Sequence, residues 1–254
     1  MGVRAKLEKL LDPFFIKENI FFLHIPKCGG TSLTRGLLKN SLHSFAILDA
    51  KASITAAKSF YNIKDESEKN FEMIRKYREC ILLYYMALEK KMIMGHFFFS
   101  DIARERFGDQ YSFITMLRDP VKRYISAFFA VGIEDEIWHF LDSERGRSWG
   151  QVYTRLLNGT HEKLDYSSEE AVKIACTNLD AFALVGCLEY LDIFTAQFKE
   201  KFGRNLHIPH ANKGAVAHEK KNKIFTAAVR NRIEEICSPD IQVYKYAVKK
   251  WVES

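Results

Sequence analysis

The apolar positions of this 254-residue chain gather into short runs, separated by longer stretches in which they recur at helical spacing. Residues Ile20 to Ile25 form such a run, close on a turn with two glycines, and predict a buried strand with a helix from about Thr31. MIMGHFFF (92–99), YSFITML (111–117) and FALVGCL (182–188) repeat the signal. The run at 111–117 ends in RDP and leads into the helical pattern VKRYISAFFAV, and a helix follows FALVGCL. A leading helix is expected over roughly Arg4 to Leu11, charged helices over 51–90, and two helical stretches over about 134–179. Ile241, Tyr244, Val248 and Trp251 recur at helical spacing near the C-terminus and should pack onto the core. Apolar strands alternating with helices predict an α/β fold of three layers, a mostly parallel central sheet flanked by helices. No repeat, low-complexity tract or linker divides the chain, so residues 1–254 are expected to form one domain.

In such sheets ligands collect at the carboxyl ends of the strands, and two motifs fall there. The first is Pro26-Lys27-Cys28-Gly29-Gly30-Thr31-Ser32. Its glycines let the backbone approach an anion, and the N–H groups opening the next helix point at it. A nucleotide-hydrolysing P-loop sets its lysine after the last glycine, directly before a metal-binding Ser or Thr. Here Lys27 precedes both glycines, so the grip on a β,γ-phosphate and its metal is missing. A plain strand-to-helix turn, with Pro26 as stop signal and Thr31 or Ser32 as N-cap, is the alternative.

The second motif has Arg118 at a strand end and Ser126 eight residues on. Arginine offers a planar fork of donors suited to a phosphate dianion, and a serine hydroxyl can add one more. Asp119 and Pro120 make a natural helix entry, as N-cap and first residue. An ion pair near Asp119 is the alternative role for Arg118, and Arg123 can be a surface or scaffold charge. Two anion sites at neighbouring strand ends suggest one nucleotide with phosphates at both ends of its ribose.

Composition narrows the picture. Hydrophobic residues at 47% and aromatics at 13% exclude disorder. A net charge of +6 favours anionic ligands but is too small and dispersed to argue for nucleic acid; Lys220, Lys221 and Lys223 suit a solvated face. Five scattered cysteines without a CxxC pair indicate neither a zinc site nor a disulfide framework, and fit a reducing compartment. The first residues are broken by charges before an apolar core develops, Lys6 stands where a myristoylation motif wants Ser or Thr, and ILLYYMAL (81–88) is too short to span a bilayer. A soluble, cytoplasmic protein without a transmembrane segment is expected.

FFLHIPKCGGTSL together with RDPVKRYISAFF resembles the 5′- and 3′-phosphate loops of sulfotransferases that use 3′-phosphoadenosine 5′-phosphosulfate (PAPS). The match is closest to the carbohydrate branch with its heparan 2-O- and chondroitin-type enzymes and their bacterial relatives. MGHFFF is similar to the family's Gly-His segment, YTRLLNG to its mid-chain helix, FALVGCLEYLDIF to its late strand and helix, and SPDIQVYKYA to its closing helix. The resemblance runs over about Ile20 to Trp251 and is specific in the first two motifs. Cys28 stands where many relatives have threonine, and Met94 where the 2-O enzymes tend to show a second histidine.

The resemblance implies a P-loop-like fold, PAPS as donor, no metal, and a hydroxyl of a sugar or glycoconjugate as acceptor. Lys27 would stabilise charge on the leaving oxygen, residues 26–32 would hold the 5′-phosphate, and Arg118 and Ser126 the 3′-phosphate. His96 suits the base that activates the acceptor, since an imidazole titrates near ~6.5. A core histidine satisfied by a backbone carbonyl is the alternative for His96, and Gly95 would permit close approach beside it. His24 is expected to be a packed strand residue, His207 and His210 to flank a loop that continues into Asn212-Lys213-Gly214, and Glu189 to be a family position or purely structural. Helical insertions at about 51–90 and 132–180 would wall the acceptor. A P-loop kinase and a non-catalytic nucleotide-binding protein of the same fold are the competing classes.

Overall fold

The computed structural model describes residues 16–40, 44–64, 68–133, 136–159, 164–208 and 224–253. The expected leading helix, His210, the Asn212-Lys213-Gly214 segment and the Lys220, Lys221, Lys223 cluster lie outside the described residues. Strand β1 (Asn19–Leu23) is apolar on both faces because it lies mid-sheet, with Phe21, Phe22 and Leu23 all fully buried. It is followed by α1 (Gly30–Lys39), β2 (Phe45–Leu48), α2 (Ala50–Tyr61), α3 (Glu68–Ala87), β3 (Met92–Gly95), α4 (Asp101–Phe107) and β4 (Tyr111–Leu117). The chain continues through α5 (Pro120–Val131), α6 (Ile137–Asp142), α7 (Glu144–Ser148), α8 (Val152–Leu157), α9 (Glu169–Leu179), β5 (Leu184–Cys187), α10 (Leu191–Phe202), α11 (Ala227–Ile236) and α12 (Ser238–Trp251).

The five strands form one sheet in the order β2-β3-β1-β4-β5, and every neighbouring pair is parallel. Phe21 aligns with Ile93 on one side and Phe113 on the other. Edge-on aromatic packing reinforces that register: Phe21 meets Phe113 at 5.0 Å and Phe97 at 5.6 Å, contacts worth ~0.5–1.5 kcal/mol each beyond area burial. After β1 the chain moves out towards β2, and after β4 it moves the opposite way towards β5. The β1/β4 boundary is therefore the switch point at which α/β sheets leave a crevice.

Several expectations are corrected. Among the described residues, the stretch over 134–179 holds four short helices rather than two. Strand β2 was not anticipated: it is a four-residue edge strand whose exposed face carries Phe45 and Ile47, so no polar alternation marks it. Helix α12 packs as expected, but its fully buried apolar positions are Val243 and Ala247, with Tyr244, Val248 and Trp251 half-buried at the core edge. Ile241 instead joins a second apolar cluster built by α5, α6 and α11 around Tyr124, Phe128, Phe140, Phe225 and Ile233. Among the described residues no helix is long and apolar enough to cross a membrane.

Candidate active site

The turn after β1 is built on two left-handed backbone positions, Lys27 and Gly29. Gly29 has φ 77° and is the N-cap of α1; a Cβ there would lie 2.8 Å from Leu188 Cδ1. Thr31 and Ser32 are consequently inside the first turn, Thr31 exposed and Ser32 buried, so neither is the N-cap. No side-chain oxygen caps this helix and its first turn holds no acidic residue. The N–H groups of Gly30 and Thr31 thus meet no side-chain cap and suit an anion, while Ser32 N turns back to the Gly29 carbonyl at 3.1 Å. Lys27 also adopts a left-handed backbone, φ 68°, which is uncommon for a residue with a Cβ. Pro26 and Lys27 are half-buried, whereas Cys28 is fully buried.

Arg118 lies directly after β4, in the neighbouring strand-end position. Its Nη1 donates to the Lys27 carbonyl at 3.2 Å, across 91 residues of sequence. Lys27 and Arg118 are therefore brought together, and the Lys27 ammonium is held below its usual pKa by burial first and by Arg118 second. Among the described residues no carboxylate pairs with either cation. Two converging cations beside uncapped helix N–H groups fit a phosphate-bearing ligand. Asp119 caps α5 as expected, accepting from Lys122 N at 2.8 Å with Pro120 at the first position. Ser126 is half-buried nearly two turns along that helix.

The histidines sit on the other side of the turn. His24 follows the end of β1 rather than lying within it, and its N–H continues the ladder to the Gly95 carbonyl at 2.9 Å. Its ring stacks on Phe22 at 5.5 Å and meets His96 at 4.4 Å. It also covers Gly30, where a Cβ would fall 1.9 Å from two of its ring atoms. His24 is a packed residue that touches the glycine turn after β1. Burial, then His96, lowers its pKa to about 3, so it is neutral at physiological pH.

His96 Nδ1 lies 2.7 Å from the His24 carbonyl oxygen. A carbonyl can only accept, so Nδ1 carries the proton and Nε2 keeps its lone pair. Burial lowers the His96 pKa, opposed by the bond to His24 and assisted by Arg78. The ring is half-buried. The carbonyl contact foreseen for a structural histidine is present, and it also selects the tautomer a base requires. Gly95, φ 154°, makes its close approach to Leu48 of β2, where a Cβ would lie 2.6 Å from Leu48 Cβ.

Three supporting residues escaped sequence reasoning. Arg78 of α3 is 7% exposed and spends its guanidinium on the His96 carbonyl (2.8 Å), the Ala50 carbonyl (3.1 Å) and Ser53 Oγ (3.1 Å). Its signal was a cation in line with Leu82 and Met86, four and eight residues on, both fully buried. Tyr153 of α8 is buried with its hydroxyl on the Arg118 backbone, accepting from the N–H at 2.9 Å and donating to the carbonyl. Asp240, also buried, accepts from Tyr153 N at 2.9 Å and Thr154 N at 3.1 Å; burial raises its carboxyl to about 6, with Arg123 and these N–H groups pulling it back. Arg123 is a buried scaffold charge rather than a surface one.

Cys28 Sγ lies 3.4 Å from the Tyr153 hydroxyl, and burial pushes its thiol up to about 12, which removes it as a nucleophile. Glu189 accepts from Asp119 N at 3.0 Å and from Tyr244 OH at 2.9 Å, pinning the turn after β4. His207 is exposed, with its backbone against Gly36 nearly two turns along α1 from the loop. Among the described residues no group of three or more His, Cys, Asp or Glu side chains could hold a metal ion.

Compared with known families, the chain matches the model of the sulfotransferase family over residues 14–178, more than half its length. That span includes the turn after β1, the His96 segment, Arg118 and Tyr153. A comparison with curated proteins returned no match.

Proposed function

The chain belongs to the sulfotransferase family, and from that premise we propose that it moves a sulfuryl group from PAPS to a hydroxyl of a carbohydrate or glycoconjugate. The observation that carries the donor is the contact between Arg118 and the Lys27 carbonyl, which sets two cations and the uncapped start of α1 around one crevice. The donor's 5′-phosphate would lie on the N–H groups from Gly29 to Ser32, and its 3′-phosphate on Arg118 and Ser126. When bound, the donor supplies an activated sulfuryl group on a good leaving group.

In this proposal His96 Nε2 takes the proton of the acceptor hydroxyl as the acceptor oxygen bonds to sulfur. The bond from sulfur to the nucleotide oxygen breaks, and the Lys27 ammonium stabilises the charge left on that oxygen. Arg78 and the His24 carbonyl hold the imidazole in position. No step calls for a metal, because the loop lacks the Lys-Ser/Thr pair that positions magnesium. A reducing, cytoplasmic setting is part of the same proposal, supported by five cysteines that are all free thiols.

Turnover with radiolabelled PAPS against a panel of sugars, glycoconjugates and lipids tests it. Label transferred to a sugar hydroxyl is the expected result. Transfer to lipids alone would overturn the acceptor class, and label transfer from ATP instead would overturn the donor.

A further inference from the structure

The Tyr153 hydroxyl stands between the two anion loops and touches both. It accepts from Arg118 N at 2.9 Å, donates to the Arg118 carbonyl, and lies 3.4 Å from Cys28 Sγ. A phenol has one proton and two lone pairs, so these contacts use all of them, with the thiol as donor in the third. We propose that Tyr153 is a positioning residue that holds the loop after β1 and the turn after β4 at a fixed separation, so that the two phosphates of one nucleotide are bound cooperatively. This rests on the PAPS reading above.

A second link between the loops exists, from Arg118 Nη1 to the Lys27 carbonyl. That guanidinium is the group a 3′-phosphate would engage, so the link is surrendered as the ligand arrives. Tyr153 uses the Arg118 backbone instead, and its link survives binding. The phenol itself is anchored from below. Asp240, 0% exposed, holds the first N–H groups of α8, and the Arg123 guanidinium, 2% exposed, lies 5.7 Å from the Tyr153 ring centroid. Burial keeps the phenol protonated by holding its pKa well above the usual range. With the separation fixed, the loop that receives the second phosphate is already in place when the first has bound, and less ordering remains to oppose it.

Calorimetry with adenosine, adenosine 5′-phosphate, adenosine 3′-phosphate and adenosine 3′,5′-bisphosphate tests the coupling in wild type, Tyr153→Phe and Cys28→Ala. In wild type the affinity gained from both phosphates should exceed the product of the two single gains by ~10-fold or more, an ordinary coupling factor. In Tyr153→Phe that excess should fall to within ~2-fold of unity while each mononucleotide moves by less than ~3-fold. Cys28→Ala removes only the contact on the β1 side and should lose part of the excess. Should Tyr153→Phe retain the full excess, or weaken all four ligands by one common factor, Tyr153 is only structural and the inference falls alone. If Tyr153→Phe does not fold, Cys28→Ala decides, and a full excess there overturns the inference. A wild type that gains nothing from a 3′-phosphate overturns the donor reading and this inference with it.

Discussion

Gly30→Ala separates two opposing effects at one atom. Gly30 is the first residue of α1 and its backbone is not left-handed, so alanine there should stabilise by about 0.4–1 kcal/mol through a less flexible unfolded chain. The added Cβ would lie 1.9 Å from His24 Cδ2 and Nε2, closer than any real contact. The ring cannot slide away cheaply, since Phe22 stacks on one side at 5.5 Å and His96 meets it at 4.4 Å. Overpacking of this kind costs about 1–3 kcal/mol, so the clash wins. The net loss should be about 1–2 kcal/mol, which lowers the melting temperature by about 2–8 °C for a chain of this size. Activity should fall as well, because the His24 carbonyl that moves with the ring orients His96. Differential scanning calorimetry on Gly30→Ala, His24→Ala and the double variant isolates the clash. Removing the ring should recover at least ~1 kcal/mol relative to additivity. A single variant that melts at or above wild type, with additive behaviour in the double, refutes the reasoning.

Arg118→Ala should weaken adenosine 3′,5′-bisphosphate by about 1.5–3 kcal/mol more than adenosine 5′-phosphate, the worth of one charge-assisted contact; equal weakening by calorimetry would deny Arg118 the 3′-phosphate. His96→Ala should lower kcat by ~10²–10⁴-fold with nucleotide affinity unchanged. Since the base must be neutral and His96 is held below its ordinary pKa, the kcat plateau should extend to below pH ~6.5 and fall only as acid protonates Nε2; an acid limb centred above pH ~7 would exclude His96. Turnover should survive EDTA, and a loss that magnesium restores would favour a kinase.

The parts of the fold that were legible are those where local and global preferences agree. Strand β4 is largely buried on both faces and is followed, after Arg118, by an Asp-Pro helix entry; it spans residues 111–117 as its pattern predicts, with the cap and first helical residue where expected. Strand β2 was hidden because an edge strand of four residues with two outward apolar side chains carries neither alternation nor length. Helix α1 starts within a residue of the expected Thr31, but the Thr31 or Ser32 N-cap alternative fails because a left-handed Gly29 decides the cap by backbone shape where hydroxyl residues compete only by propensity. For the site, the glycine turn and Arg118 could be named from local motifs, but Arg78, Tyr153 and Asp240 could not. Each acts on a residue at least 18 positions away, and only the packed topology makes them neighbours. Asp240 shows why: in the first turn of α12 it has the look of an ordinary helix-start charge, yet it serves the start of α8.

That last contact has a consequence for how the protein is made. Lys27 leaves the ribosome well before the hydroxyl against its loop, which belongs to a tyrosine whose own backbone is held by residue 240. About 213 residues (240 minus 27) separate the two, which at roughly 5–20 residues per second is a wait of about 10–40 s during translation. Throughout that interval the nascent chain can hold a glycine turn and an apolar strand without the buried carboxylate that fixes α8. The crevice at the β1/β4 boundary is thus finished only once residue 240 has emerged, and the onset of tight ligand binding by a nascent chain would mark that moment.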